Sequence, residues 1–187
     1  MALPDPARKL TYEDLLLFPE DDLLRHEILD GEHYVTASPF RRHQRVSGNL
    51  HLLLAPFVRD RRLGEVYYAP VDVILSLHDI AVPDLIFVSN ERLEILAEKN
   101  VQGAPDLVIE ILSKSTSHRD KGIKLERYGR FGVQEYWLVD PDHRTLRLYR
   151  RDGERLAVAA DLSADSGDSL STPLLPGLVI PLRKVFE

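Results

Sequence analysis

The chain has 187 residues, 44% of them hydrophobic and 29% charged, with a formal net charge of −6 and no cysteine. This length suits one domain with its own core, and the absence of cysteine excludes disulfides and thiolate metal sites. No stretch approaches the ~18 apolar residues of a membrane span, and the first residues lack the apolar core of a secretion signal, so a cytoplasmic location is expected. Any metal must be held by oxygen or imidazole, and carboxylates favour Mg²⁺ or Mn²⁺. The charge is uneven: residues 41–62 hold six arginines against one acid, and residues 113–130 six bases against two acids. A basic middle within an acidic whole permits a phosphate-binding face; the plain alternative is solvated helix faces.

In chain order, Thr11 with Asp14 before Leu15 predicts a capping-box start to a short helix. Arg25 to Leu29, Asp30-Gly31 and Glu32 to Thr36 predict a β-hairpin around an Asp-Gly turn, with Pro39 closing it. Val46, Leu50, Leu53, Leu54, Phe57 and Val58 recur at helical spacing across about 42–62, and Pro56 should kink or split that helix. Residues 66–75 are dense in β-branched and aromatic side chains, and Ala81 to Val88 is a second apolar run with Asp84 near its start. A short helix is expected over 91–99. Ala104 to Leu112 is so continuously hydrophobic that it reads as a strand covered on both faces. Ser113 to Ser117 introduces a helix from about His118 to Phe131, stopped by Gly132. Glu135 to Val139 is another buried strand, Asp152-Gly153 turns a second hairpin, and 161–173 reads as an exposed loop.

Glu110 is the anomaly. A carboxylate among Leu107, Val108, Ile109, Ile111 and Leu112 is costly to bury charged, so it must be paired, metal-bound, protonated or at an exposed strand end. Two Pro-Asp pairs, Pro83-Asp84 and Pro105-Asp106, offer a partner. Asp106 shares its strand and parity, but four residues at ~3.3 Å each set the two ~13 Å apart. Carboxylates sharing one Mg²⁺ hold oxygens ~2.1 Å from the ion, so Asp106 is a poor partner and is expected to cap a strand or pair with a base. Asp84, on a different strand, can converge with Glu110.

The segments Val-Pro-Asp-Leu-Ile-Phe-Val, Ala-Pro-Asp-Leu-Val-Ile-Glu-Ile-Leu-Ser-Lys-Ser-Thr, Asp120-Lys121-Gly122-Ile123-Lys124 with Tyr128, and Val133-Gln134-Glu135-Tyr136-Trp137-Leu138-Val139-Asp140-Pro141 resemble the Uma-two-type endonucleases. These are bacterial members of the PD-(D/E)XK, restriction-endonuclease-like superfamily. His26 to Glu32 and His43-Gln44-Arg45 are similar too, so the resemblance covers roughly 10–150. It implies an α/β (α+β) chain with a central mixed sheet flanked by helices and an N-terminal hairpin, as one domain over 1–187. It also implies Asp84 and Glu110 as metal ligands for Mg²⁺ or Mn²⁺. The superfamily lysine lies two residues beyond the second carboxylate, where this chain has Leu112; Lys124 on the following helix looks like its relocated counterpart. The alternative for Lys124 is an i,i+4 pair with Asp120 on an exposed face. Glu27 is implied as a further carboxylate, its alternative being a strand-edge ion pair. His43 opens a basic helix with Arg42 and Arg45, and these three are the expected DNA contacts; for His43 the alternatives are a role near the metal and a plain surface histidine.

The reading that follows is a divalent-metal-dependent endonuclease acting on DNA, with catalytic Asp84, Glu110, Lys124 and Glu27 and, by analogy, a homodimeric state. Its rival is a catalytically weak or inactive nuclease-fold module for DNA or protein binding, favoured by the missing in-strand lysine and the acidic net charge. A third, a hydrolase of small phosphoesters, rests on site chemistry alone.

Overall fold

The computed structural model describes residues 8–18, 24–37 and 40–187; Pro39, expected to close the first hairpin, lies outside them. Along the described chain come α1 (Tyr12–Leu15), β1 (Arg25–Leu29), β2 (Glu32–Thr36), α2 (Arg41–Asp60), β3 (Gly64–Tyr68), β4 (Val73–Ser76), β5 (Asp79–Ala81) and β6 (Leu85–Ser89). A 3-10 turn at Asn90–Ile95 leads to β7 (Val101–Gln102), β8 (Leu107–Ile111), α3 (Ser117–Lys121), α4 (Ile123–Phe131) and β9 (Glu135–Asp140). The chain ends with β10 (Thr145–Asp152), β11 (Arg155–Ser163), β12 (Ser169–Leu170), β13 (Ile180–Pro181) and a 3-10 turn at Leu182–Val185.

A six-stranded sheet, ordered β11-β10-β9-β8-β6-β3, forms the centre, with β8 and β9 parallel and its other neighbours antiparallel. Alternation along its strands sorts side chains onto two faces. Leu85, Phe87, Leu107, Ile109, Ile111 and Trp137 pack with Val46, Leu50, Leu54 and Val58 of α2. Ile86, Val88, Val108, Tyr136 and Leu138 pack on the opposite side with Tyr128 of α4 and with Val73, Ala81 and Val101. Covered on both faces, β6, β8 and β9 can be apolar almost throughout, which is why they stood out in the sequence. Burying one such Leu, Ile or Phe stabilises the fold by ~1.5–3 kcal/mol.

The N-terminal hairpin belongs to a second, five-stranded sheet, β2-β1-β5-β4-β7. Asp30 (φ 54°) and Gly31 (φ 80°) both adopt positive φ at its turn, as a two-residue type I′ turn requires. A Cβ on Gly31 would also come within 2.5 Å of the Lys9 side chain. The capping box is present too, the Thr11 N–H donating to Asp14 Oδ2 at 2.9 Å.

Several expected elements are divided differently. The 66–75 stretch breaks at Ala69-Pro70, so β3 joins the six-stranded sheet and β4 the five-stranded one. The 81–88 run splits between β5 and β6 around Pro83, which has no N–H for a ladder. The 118–131 helix is two helices meeting at Gly122, where φ −114° and ψ −100° leave the helical region. Pro56 does not split α2, which runs unbroken; the residue whose carbonyl loses its i+4 donor, Leu52, is 70% exposed and can be solvated. The helix expected over 91–99 is the short 3-10 turn at Asn90–Ile95. The 161–173 segment is not simply an exposed loop. β11 continues through Ser163, β12 pairs with β13, and Ala164 and Leu170 are buried in the core beneath α2.

Candidate active site

Strand register brings the two carboxylates together. β6 and β8 pair Leu85 with Ile109 and Ile86 with Val108, so one further step sets Asp84 beside Glu110. Asp84 occupies the bend just before β6 rather than the strand itself. Each residue is only 2% exposed. Asp84 Oδ1 accepts from Arg25 at 2.9 Å, and Oδ2 accepts from the Ile111 N–H at 2.8 Å and lies 3.1 Å from His43 Nε2. Burial pushes the Asp84 carboxyl up, but the His43 hydrogen bond and charge, Arg25 and the Ile111 N–H outweigh it and hold it below the usual range. Asp106 stands at the other end of β8, accepting from the Ser89 N–H at 2.8 Å and pairing with Arg92 at 3.2 Å. It caps and pairs, as its spacing from Glu110 suggested.

Glu110 Oε1 accepts from Lys124 Nζ and from the Tyr128 hydroxyl, each at 2.8 Å; among the described residues, Oε2 accepts no hydrogen bond. Lys124 Nζ also lies 2.8 Å from Glu27 Oε1 and 3.7 Å from Asp120 Oδ1. Lys124 is 2% exposed, so its i,i+4 relation to Asp120 is not a solvated surface pair. Both Asp120 oxygens are buried without a hydrogen bond among the described residues. One ammonium therefore faces three carboxylates. Burial would push the Lys124 ammonium down, yet Glu110, Glu27 and Asp120 reverse this and strengthen its hold on the proton. The carboxylates share the deficit: burial pushes Glu110 up to about 8 against the pull of Lys124, with Asp120, Asp84 and Glu27 adding to the rise. Burial likewise pushes Asp120 up.

Glu27 reaches the centre from β1, its Oε1 accepting from the Val82 N–H at 2.9 Å, with Arg119 3.9 Å from Oε2. The expected DNA contacts separate. His43 points inward to Asp84; Arg42 borders the cavity above Glu110 and pairs with Asp142 at 2.9 Å. Arg45 is exposed on α2 and does not line that cavity. Arg25, Asp120 and Tyr128 are site residues that sequence reasoning did not select. The available signals were positional: Arg25 shares the parity of Glu27 on β1, and Tyr128 lies one helical turn beyond Lys124. Glu135, by contrast, accepts from Trp137, Arg150 and Thr172, a packing role away from Glu110.

The donor set fits a hard divalent cation. Among the described residues no three His, Cys, Asp or Glu side chains form a ready-made metal cluster. Mg²⁺, however, is commonly held by one or two carboxylates with substrate phosphate and water completing its shell. Asp84 and Glu110 supply that pair, and among the described residues Glu110 Oε2 accepts no hydrogen bond. The Asp120 oxygens, buried and accepting no hydrogen bond among the described residues, and the raised Glu110 and Asp120 carboxyls mark a centre that a further positive charge would suit.

Comparison with known proteins agrees with this architecture. Two proteins of Synechocystis sp. are similar: "Uncharacterized protein sll1609", 25% identical over 161 residues (85% of this chain and 90% of that protein), and "Uncharacterized protein slr1290", 27% identical over 153 residues (80% and 78%). A crystal structure from Anabaena variabilis, described as "a putative nuclease belonging to DUF820", superposes with a TM-score of 0.77 at 21% identity, covering 95% of this chain and 97% of that one. That likeness shows a shared fold. The model of the Uma2 family, described as "Putative restriction endonuclease", matches residues 11–183, and the chain belongs to that family.

Proposed function

We propose that the chain is a divalent-metal-dependent endonuclease that hydrolyses DNA phosphodiester bonds at the Asp84–Glu110 centre. One observation carries this reading: a buried lysine meets Glu110 at 2.8 Å beside Asp84, on the floor of a cavity of about 660 Å³. The superfamily lysine position is Leu112, whose N–H is committed to Val139 O at 2.8 Å. Lys124 enters the same space from α4, which supports its role as the relocated lysine.

Asp84 and Glu110 are the residues that would hold Mg²⁺ or Mn²⁺, which when bound polarises a phosphoryl oxygen and lowers the pKa of a water. The chain's own groups do the rest. Lys124 donates toward the attacking water or the charge that develops on the phosphoryl oxygens, and burial makes that charge count for more than it would in water. Tyr128 and Glu27 hold the ammonium and the Glu110 carboxylate in register. Arg25 and His43 orient Asp84, and Arg25 and Arg42 offer cations to the flanking phosphates.

A second reading, a nuclease fold kept as a binding module, draws on the engagement of both Asp84 oxygens by Arg25, His43 and the Ile111 N–H. Cleavage of circular DNA in Mg²⁺ or Mn²⁺ separates the two. The endonuclease reading expects nicking by the wild-type protein and a loss of at least ~100-fold in Asp84→Ala, Glu110→Ala and Lys124→Ala. Cleavage that survives all three substitutions refutes the assignment of the centre, and DNA binding without cleavage supports the module.

A further inference from the structure

Two cavities meet at the acidic centre. The first, about 660 Å³, contains Glu110, Lys124 and Asp120 and is edged by Phe40, Arg42 and Lys114. The second, about 670 Å³, is edged by Leu16, Leu24 and Tyr68. Arg25, Thr36, Ala37, His43 and Asp84 line both, so the two form one trough that passes Asp84.

Each part of the trough carries an exposed aromatic ring, that of Tyr68 standing edge-on to His51 with ring centroids 4.8 Å apart. Phe40 is 82% exposed and Tyr68 is 60% exposed. Phe40 stands at the N-cap position of α2. Tyr68 pairs with Leu85 across β3 and β6, and the next N–H, that of Ala69, donates to Asp84 O at 3.0 Å. The backbone beside Tyr68 is thus joined to the backbone of Asp84.

We propose that the substrate is an unpaired DNA strand, as single-stranded DNA or as a single-stranded flap or loop. Its backbone follows the trough past Asp84, with one base stacked on Phe40 and another on Tyr68. This inference rests on the endonuclease reading and specifies its substrate class. Three observations carry it. First, Asp84, Glu110 and Lys124 are each 2% exposed, so a phosphate must descend into the trough to reach them. Duplex DNA is stiff over ~50 nm and carries its phosphates on a rod whose bases are closed into a stack; a single strand bends and splays its bases. Second, exposed rings on both sides of a reaction centre match the stacking platforms that hold single strands with little regard to sequence. Third, the cations on the trough are few, chiefly Arg25, Arg42 and Lys114, in a chain of net charge −6. That suits a short local contact better than a broad duplex footprint.

The test uses the full chain in Ca²⁺, with fluorescence anisotropy of one labelled oligonucleotide presented as a single strand, a blunt duplex and a duplex with a single-stranded flap. Single strand and flap are expected to bind at least ~10-fold more tightly than the duplex, and Phe40→Ala and Tyr68→Ala each to weaken the single strand ~10-fold. Both variants should keep the wild-type melting temperature and the wild-type duplex affinity. Equal affinity for duplex and single strand, or single-strand affinity unchanged in both variants, overturns the proposal. Cleavage of duplex in Mg²⁺ at the rate of single strand, abolished by Asp84→Ala, would overturn it while leaving the endonuclease reading intact. Absence of any binding or cleavage of nucleic acid would overturn both.

Discussion

Lys124 keeps its proton in full burial because three carboxylates surround it, and those carboxylates tolerate burial because Lys124 is there. Removing one partner of such a pair strands the others, at a cost of ~3–5 kcal/mol. Urea denaturation of Lys124→Met should show a loss of that order at pH 8 and a smaller one at pH 5, below the point where Glu110 gives up its proton; a loss independent of pH would contradict this electrostatics. Glu110 makes its own pH signature. Its folded carboxyl is pushed from the ordinary value of 4.5 up to about 8, so the folded state binds the proton more tightly than the unfolded chain does. The stability this contributes is complete below about 4.5 and is lost as the pH rises through about 8. Without divalent ions, the melting temperature should fall across that interval, and Glu110→Gln should flatten the fall; an identical slope in the variant would refute the cause. Glu110 could be picked from sequence because a carboxylate inside an apolar run is conspicuous. Arg25 and Asp120 could not, since a charged residue at a strand start or in a helix's first turn is ordinary until its burial is known.

Among the elements, the junction of α3 and α4 matters most to the site. Gly122 breaks the helix between Asp120 and Lys124, and a Cβ there would lie 2.9 Å from His118 O, a backbone atom that cannot easily retreat. Gly122→Ala is expected to cost ~1–2 kcal/mol and to slow cleavage by displacing Lys124, read as a lowered melting temperature with DNA binding retained. A variant as stable and as active as wild type would show that the break is incidental. This junction was not legible in the sequence, where a run from His118 to Phe131 interrupted by one early glycine reads as one helix. The hairpin at Asp30-Gly31 was legible because its turn chemistry is local, and β8 because double burial writes itself as uninterrupted hydrophobicity. The division of 66–75 between two sheets, and the burial of Leu170 beneath α2, depend on partners far along the chain. Local pattern carries neither.

At the scale of the molecule, the centre lies where the two sheets face each other. The six-stranded sheet supplies Glu110 and the bend with Asp84, the five-stranded sheet supplies Glu27 and Arg25, and α4 drives Lys124 between them. The site therefore reports on the docking of the whole fold. With Arg25, Arg42 and Lys114 the cations on the trough among the described residues apart from the buried Lys124, the salt dependence of single-strand binding should be shallow. A log–log slope of about −2 is expected from ~0.7 per neutralised phosphate, and a slope several times steeper would mean that a wider basic surface takes part. The most direct test of the central claim is a calorimetric titration of Mn²⁺ into the wild-type protein, Asp84→Asn and Glu110→Gln, substitutions that keep shape while removing charge. Saturable binding in the wild type, weakened at least ~10-fold in each variant, is the result expected; Mn²⁺ binding unchanged in both variants would contradict the assignment of Asp84 and Glu110 as the metal-holding pair.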